Sequence, residues 1–208
     1  MITKGKLIIV DGIDGCGKTT ISKYIAEKIG GVTMPALGTG PIGKEIRRQL
    51  LETGLNCSNP VVFNMMMSSV LETYCMHVIP ALEAGQNVVL DRFATSSYAY
   101  QVHPFPKDNL YNSWWQLLNE MLKKQMPDLY IWLDVPLDIA ISRIKARGGL
   151  NVFEEKAMLT MEKTVEGYRY FFINQLLPNS AVIQAENELA EVLNDIDNSL
   201  RDFTILGS

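Results

Sequence analysis

No apolar run in the chain approaches the ~20 residues needed to cross a bilayer, so a membrane role is not expected. Cysteine is sparse. Cys16, Cys57 and Cys75 are odd in number and lack Cys-x-x-Cys spacing, which argues against both a disulfide framework and a zinc site. Only two histidines are present, and His77 and His103 stand apart without ligand-like partners. Basic residues are not in excess either: Lys and Arg number 19 against 23 Asp and Glu, for a net charge of −4. A broad nucleic-acid surface is therefore not expected, although a small anion needs only a few local cations. Internal repeats, low-complexity tracts and Pro/Ser-rich linkers are missing, so residues 1–208 are read as a single domain. The first ten residues pass straight into a strand-like run and have no signal-peptide layout. The expectation is a reduced, soluble, cytoplasmic protein whose partners are small molecules, with neither nucleic acid nor membrane among them.

What is present is an ordinary globular composition, 47% hydrophobic and 20% charged, enough for a sizeable core. Short β-branched runs at 6–11, 32–34, 87–91, 129–134 and 181–183 read as strands of a buried sheet. Helical spacing occupies 19–29, 41–53, 60–84, 110–124, 136–147, 154–175 and 186–202. Gly30-Gly31, Gly54 and Gly85 act as stops. Strands alternating with helices predict βαβ crossovers, hence an α/β fold with a parallel sheet and helices on both faces. Ligands on such sheets sit at the carboxyl ends of the strands, so the polar residues after each run are the candidates.

The sharpest of these is Gly12-Ile13-Asp14-Gly15-Cys16-Gly17-Lys18-Thr19, which matches G-x-x-x-x-G-K-[ST] between the first strand and the first helix. Glycines let the backbone curl so that its N–H groups face phosphate oxygens, and the helix adds its positive end. Lys18 is placed to neutralise the β- and γ-phosphates of ATP, and the Thr19 hydroxyl to ligate Mg²⁺. Asp14, Gly15, Cys16, Gly17, Lys18, Thr19 and Thr20 form the expected ATP site. The bland alternative is a glycine turn with a surface lysine.

Further segments carry a family resemblance: Gly43-Lys44-Glu45-Ile46-Arg47; Ile79-Pro80-Ala81-Leu82 with Gly85; Asp91-Arg92-Phe93-Ala94-Thr95-Ser96-Ser97-Tyr98-Ala99-Tyr100-Gln101; Pro127-Asp128-Leu129 with Leu133-Asp134-Val135; and Glu166-Gly167-Tyr168. With the phosphate loop, these resemble, in order, the motifs of thymidylate kinases, which transfer the γ-phosphoryl of ATP to dTMP. The resemblance implies a three-layer α/β/α P-loop kinase fold with a five-stranded parallel sheet, a small lid at about 143–155, and a homodimer. It implies that Asp14 binds the sugar 3′-hydroxyl and that Arg47 and Arg92 clamp the acceptor phosphate. Asp91 is implied to act near Mg²⁺, with Thr19, and Lys18, Asp91 and Arg92 count as catalytic. Ser96, Ser97 and Gln101 fall in the base-binding stretch, Tyr100 is implied to pack against the deoxyribose, and Tyr168 is carried over as substrate-binding.

Blander readings stand beside these. Asp91-Arg92 could be a surface ion pair, Arg47 and Arg48 could both be solvated, and Asp134 could cap a helix rather than act in catalysis. Cys16 reads as a packing variant, although a thiol beside a phosphate site could be oxidisable. The Met65-Met66-Met67 run reads as core more readily than as a ligand surface.

Two departures from the family pattern matter. Gly15 stands where one subgroup carries a catalytic arginine, so that charge is expected from the lid; Arg143 is the first candidate and Arg147 the second. In the base pocket, Met66 and Val70 replace the family's stacking Phe and hydrogen-bonding Arg, and a loop containing Leu37 replaces R-E-P-G-G-T. An apolar Met/Val wall discriminates weakly, which predicts a relaxed or altered base preference, extending to dGMP or a modified base, with plain dTMP use as the alternative. Competing functions are a deoxynucleoside or other small-molecule P-loop kinase and a non-catalytic nucleotide-binding regulator.

Overall fold

The computed structural model describes residues 3–53, 55–146, 148, 158–174 and 176–206. Five strands, β1 (Leu7–Asp11), β2 (Val32–Pro35), β3 (Val88–Asp91), β4 (Leu129–Asp134) and β5 (Ser180–Gln184), form one parallel sheet in the order β2-β3-β1-β4-β5. Central β1 is buried along its whole length and β4 along five of its six residues. This is why both read as near-continuous apolar runs rather than as alternating ones. Register places Val10 beside Asp91 and Asp11 beside Trp132, so β1 and β3 end within one residue of each other while β4 runs two residues further, to Asp134.

The helices α1 (Lys18–Lys28), α2 (Pro41–Arg47), α3 (Asn59–Thr73), α4 (Ile79–Glu83), α5 (Ala94–Ser97), α6 (Tyr111–Lys124), α7 (Leu137–Ala146), α8 (Met161–Ile173) and α9 (Leu189–Asp202) cover the sheet. Gly30 and Gly85 adopt φ of 60° and 83° and close α1 and the α3–α4 stretch, as expected of left-handed stops. The expected helix 60–84 is continuous in direction but widens into a π-turn over Tyr74–Val78. Pro80 follows two residues later. It has no N–H to donate and its ring crowds the preceding turn, so a wider turn there relieves the conflict. Two more π-turns occupy Arg48–Glu52 and Tyr98–Val102.

Fully buried Trp114, Tyr74, Tyr130, Tyr168, Phe63, Phe93 and Phe171 anchor the core, in one apolar cluster that includes β1, β3 and β4. Among the described residues, no helix is long and apolar enough to cross a membrane. Most of the expected lid, Arg147 included, lies outside the described residues.

Candidate active site

A cleft of about 1090 Å³ opens over the carboxyl ends of β1, β2 and β3. The phosphate loop forms its floor. Gly15 there has φ of 83°, and a Cβ at that position would collide with the Ala140 carbonyl oxygen of α7. No side chain fits, which explains physically why this loop carries no arginine at that point. Cys16 is set beneath the loop instead of on the cleft wall, 2% exposed, with Sγ packed towards Gly12. Burial pushes its thiol above the usual range against the opposing pull of Lys18 and Arg92, consistent with a packing role.

Lys18, 7% exposed, donates from Nζ to the Ile13 carbonyl (2.7 Å) and lies 3.7 Å from Cys16 Sγ. The next residue, Thr19, donates its hydroxyl to Asp91 Oδ2 (2.8 Å). Two hard oxygen ligands from the loop and from the end of β3 thus meet at the cleft, a donor set that suits Mg²⁺ together with phosphate oxygens. Among the described residues, no group of three or more His, Cys, Asp or Glu side chains forms a metal cage.

Arg92 is held in the left-handed region, with φ of 72°, which is costly for a residue carrying a Cβ. Its guanidinium pairs with Asp14, donates to the Gly12 carbonyl and to Ser96 Oγ (both 3.1 Å), and lies over the Tyr100 ring at 5.4 Å. Burial works against its charge, but Asp14 and the surrounding phenols and carboxylates hold the guanidinium well above its ordinary value, so it stays protonated. Tyr100 completes the arrangement: its hydroxyl donates to Asp14 Oδ2 (3.0 Å) and accepts from the Asp14 N–H (3.1 Å). Asp91-Arg92 is therefore not a surface ion pair, since each residue turns to a different partner inside the cleft.

The remaining expected residues separate cleanly. Arg47 lines the cleft, whereas Arg48 bonds twice to Glu45 on the exposed face. Met66 and Val70 form part of the wall together with Leu37, Ser96, Ser97 and Gln101, while Met67 is buried in the core. Gln101 Oε1 is buried and has no hydrogen-bond partner among the described residues, and an acceptor left in that state is costly unless a ligand donates to it. Gly17 and Thr20 also line the cleft. So does Arg143, with one guanidinium nitrogen donating to the Ala185 carbonyl (2.8 Å) after β5. Tyr168 departs from its expected position. It sits behind the wall, with its hydroxyl shared between Asp11 Oδ1 (2.6 Å) and Ser96 Oγ (2.7 Å). Asp134 likewise stands off the cleft; burial raises its carboxyl, with Arg169 opposing.

One residue central to the site escaped the sequence reading. Asp11, fully buried at the end of β1, accepts from the Gly12 N–H (2.9 Å) and from four hydroxyls, those of Thr95, Ser96, Tyr130 and Tyr168 (2.6–2.9 Å). It ties the first residue of the phosphate loop to the wall that carries Arg92. A carboxylate closing an otherwise apolar buried strand was the available signal.

Comparison with known proteins points the same way. Residues 10–196 match the family model described as "Thymidylate kinase". A thymidylate kinase of Acinetobacter baumannii is 31% identical over 171 residues, spanning 77% of this chain and 83% of that protein. A protein of Pyrococcus horikoshii named "Probable thymidylate kinase" is 29% identical over 202 residues, 93% of this chain and 94% of its own length. With a phosphate loop on the first strand, paired arginines over the same cleft and a family match along nearly its whole length, the chain belongs to the thymidylate kinase family.

Proposed function

We propose that the chain transfers the γ-phosphoryl group of ATP to a deoxynucleoside monophosphate, in the first place dTMP, giving ADP and dTDP. The observation that carries this reading is the convergence of Lys18, Arg47, Arg92 and Arg143 on one cleft with the Thr19–Asp91 oxygen pair. Phosphoryl transfer needs positioning and compensation of charge on the equatorial oxygens more than covalent chemistry, and this set supplies both. Lys18 and the loop N–H groups take the donor phosphates, and Arg47 and Arg92 take the acceptor phosphate. Asp14 receives the sugar hydroxyl and Tyr100 packs on the sugar. Thr19, with Asp91 close by, would hold Mg²⁺, which would supply positive charge against the transferring phosphates.

Gln101 Oε1 supports a base with a ring N–H, a feature that thymine and guanine share. The Met66–Val70 wall offers no donor of its own, which favours a relaxed preference reaching dGMP or a modified base. A coupled ADP-release assay over dTMP, dUMP, dGMP, dAMP, dCMP and the ribose forms tests this directly. Turnover of dGMP at an appreciable fraction of the dTMP rate is the expected result; strict dTMP use would make Met66 and Val70 tolerated variation.

The region at about 143–155 serves in this reading as a lid that excludes water on closing. Arg143→Ala is expected to lower kcat by about tenfold or more with the KM for ATP little changed, as for a contact made mainly in the transition state. Normal turnover would assign the charge elsewhere; Arg147, the other candidate, is outside the described residues. A cytoplasmic homodimer completes the proposal. Exposed Val61 and Met76, along the 59–83 stretch, supply apolar surface for a second copy, and light scattering in solution tests it.

A further inference from the structure

Helix α2 starts without a cap of its own, because Gly40 precedes it and has no side chain to offer. Its first N–H groups are met from another helix. Glu72, on α3, accepts from the N–H of Ile42 (3.1 Å) and of Gly43 (2.6 Å). One turn earlier on α3, Ser69 Oγ accepts from the Gly38 N–H (3.1 Å). The fit is close on both sides: a Cβ at Gly40 would collide with the Glu72 carboxylate, and one at Gly43 with Ser69 Oγ. At the far end of α2, the Arg47 stem crosses the same loop, with Cδ 2.9 Å from where a Gly38 Cβ would stand. The helix that pins this arm also gives the cleft Met66 and Val70, while Glu72 and Ser69 are not among the residues lining it.

We propose that Glu72 is a positioning residue for the acceptor site. Its carboxylate locks α2 to α3 and so sets Arg47, which meets the acceptor phosphate, at a fixed distance from the wall that meets the base. The phosphate loop makes none of these contacts, so the donor site is independent of the lock. The inference rests on the function proposed above.

The test is the pair of KM values in Glu72→Ala, measured with the monophosphate that the wild type turns over fastest. The acceptor KM is expected to rise about 10- to 100-fold while the KM for ATP stays within about twofold, because loss of position affects only the site that moves. Glu72→Gln keeps one acceptor oxygen and should fall between alanine and wild type. Gly43→Ala presses on Ser69 from the other side and should give the same acceptor-only defect, so these two variants decide the matter if Glu72→Ala does not fold. An unchanged acceptor KM, or two KM values rising together, overturns this inference alone. A wild type inactive towards every monophosphate overturns the function reading and this inference with it.

Discussion

Lys18→Ala is expected to lower kcat by about a hundred- to a thousandfold, the scale of removing one preorganised donor from developing charge in a dry site. Lys18 is nearly buried, begins α1 and rests its ammonium on the Ile13 carbonyl, within the loop that would cradle the phosphates. Among the described residues its ammonium meets the Ile13 carbonyl and the Cys16 sulfur and forms no salt bridge, so its charge remains available to the β- and γ-phosphates. Arginine is no substitute, because its planar fork is larger than a point-like ammonium, and Lys18 is already buried with its Nζ 3.7 Å from Cys16 Sγ. Saturating kinetics with ATP·Mg²⁺ and dTMP, with circular dichroism as the fold control, give the measurement. Turnover within a fewfold of wild type would remove Lys18 from the chemistry.

The second large effect belongs to stability. Asp11→Ala is expected to destabilise the protein by about 3–5 kcal/mol, as when one member of a buried charged network is removed and its partners are left unpaired. At about 2–4 °C per kcal/mol for a chain of this size, the melting temperature should fall by roughly 10 °C. Four hydroxyls and one N–H converge on this carboxylate, and in the alanine variant Thr95, Tyr130 and Tyr168 would be buried without it. Asp11→Asn keeps one acceptor oxygen but turns the other into a donor facing donors, so it should fall only part of the way back towards wild type. Ser96 also accepts from Arg92, so the surviving folded fraction should show a raised acceptor KM. Differential scanning calorimetry measures the stability change, and a melting temperature within a degree or two of wild type would contradict the assigned role.

What the sequence disclosed and what it hid follow from the range of the interactions. The phosphate loop is a contiguous motif whose glycines, lysine and threonine each have a local reason, so Gly12 to Thr19 was legible at once. The same holds for β1 and β4, whose burial on both faces leaves continuous apolar runs, and for the stops at Gly30 and Gly85. Arg47 and Arg48 are adjacent and chemically alike; only the fold sends one into the cleft and the other to Glu45. Asp11 collects partners from β4, α5 and α8, up to 157 positions away, and no window of sequence contains them. The Glu72 lock hides for the same reason. The π-turn at Tyr98–Val102, which carries Tyr100 and Gln101, was also invisible. The Gln101 carbonyl on that turn accepts from Asn59 Nδ2 (2.8 Å), a partner 42 positions away that no local pattern discloses.

In the proposed reaction, one cleft brings an ATP phosphate and a dTMP phosphate together for direct transfer. Phosphorus NMR of the wild-type protein with ATP, Mg²⁺ and dTMP tests it most directly. dTDP and ADP should appear in equal amounts with no free phosphate; ADP with inorganic phosphate and no dTDP would contradict direct transfer.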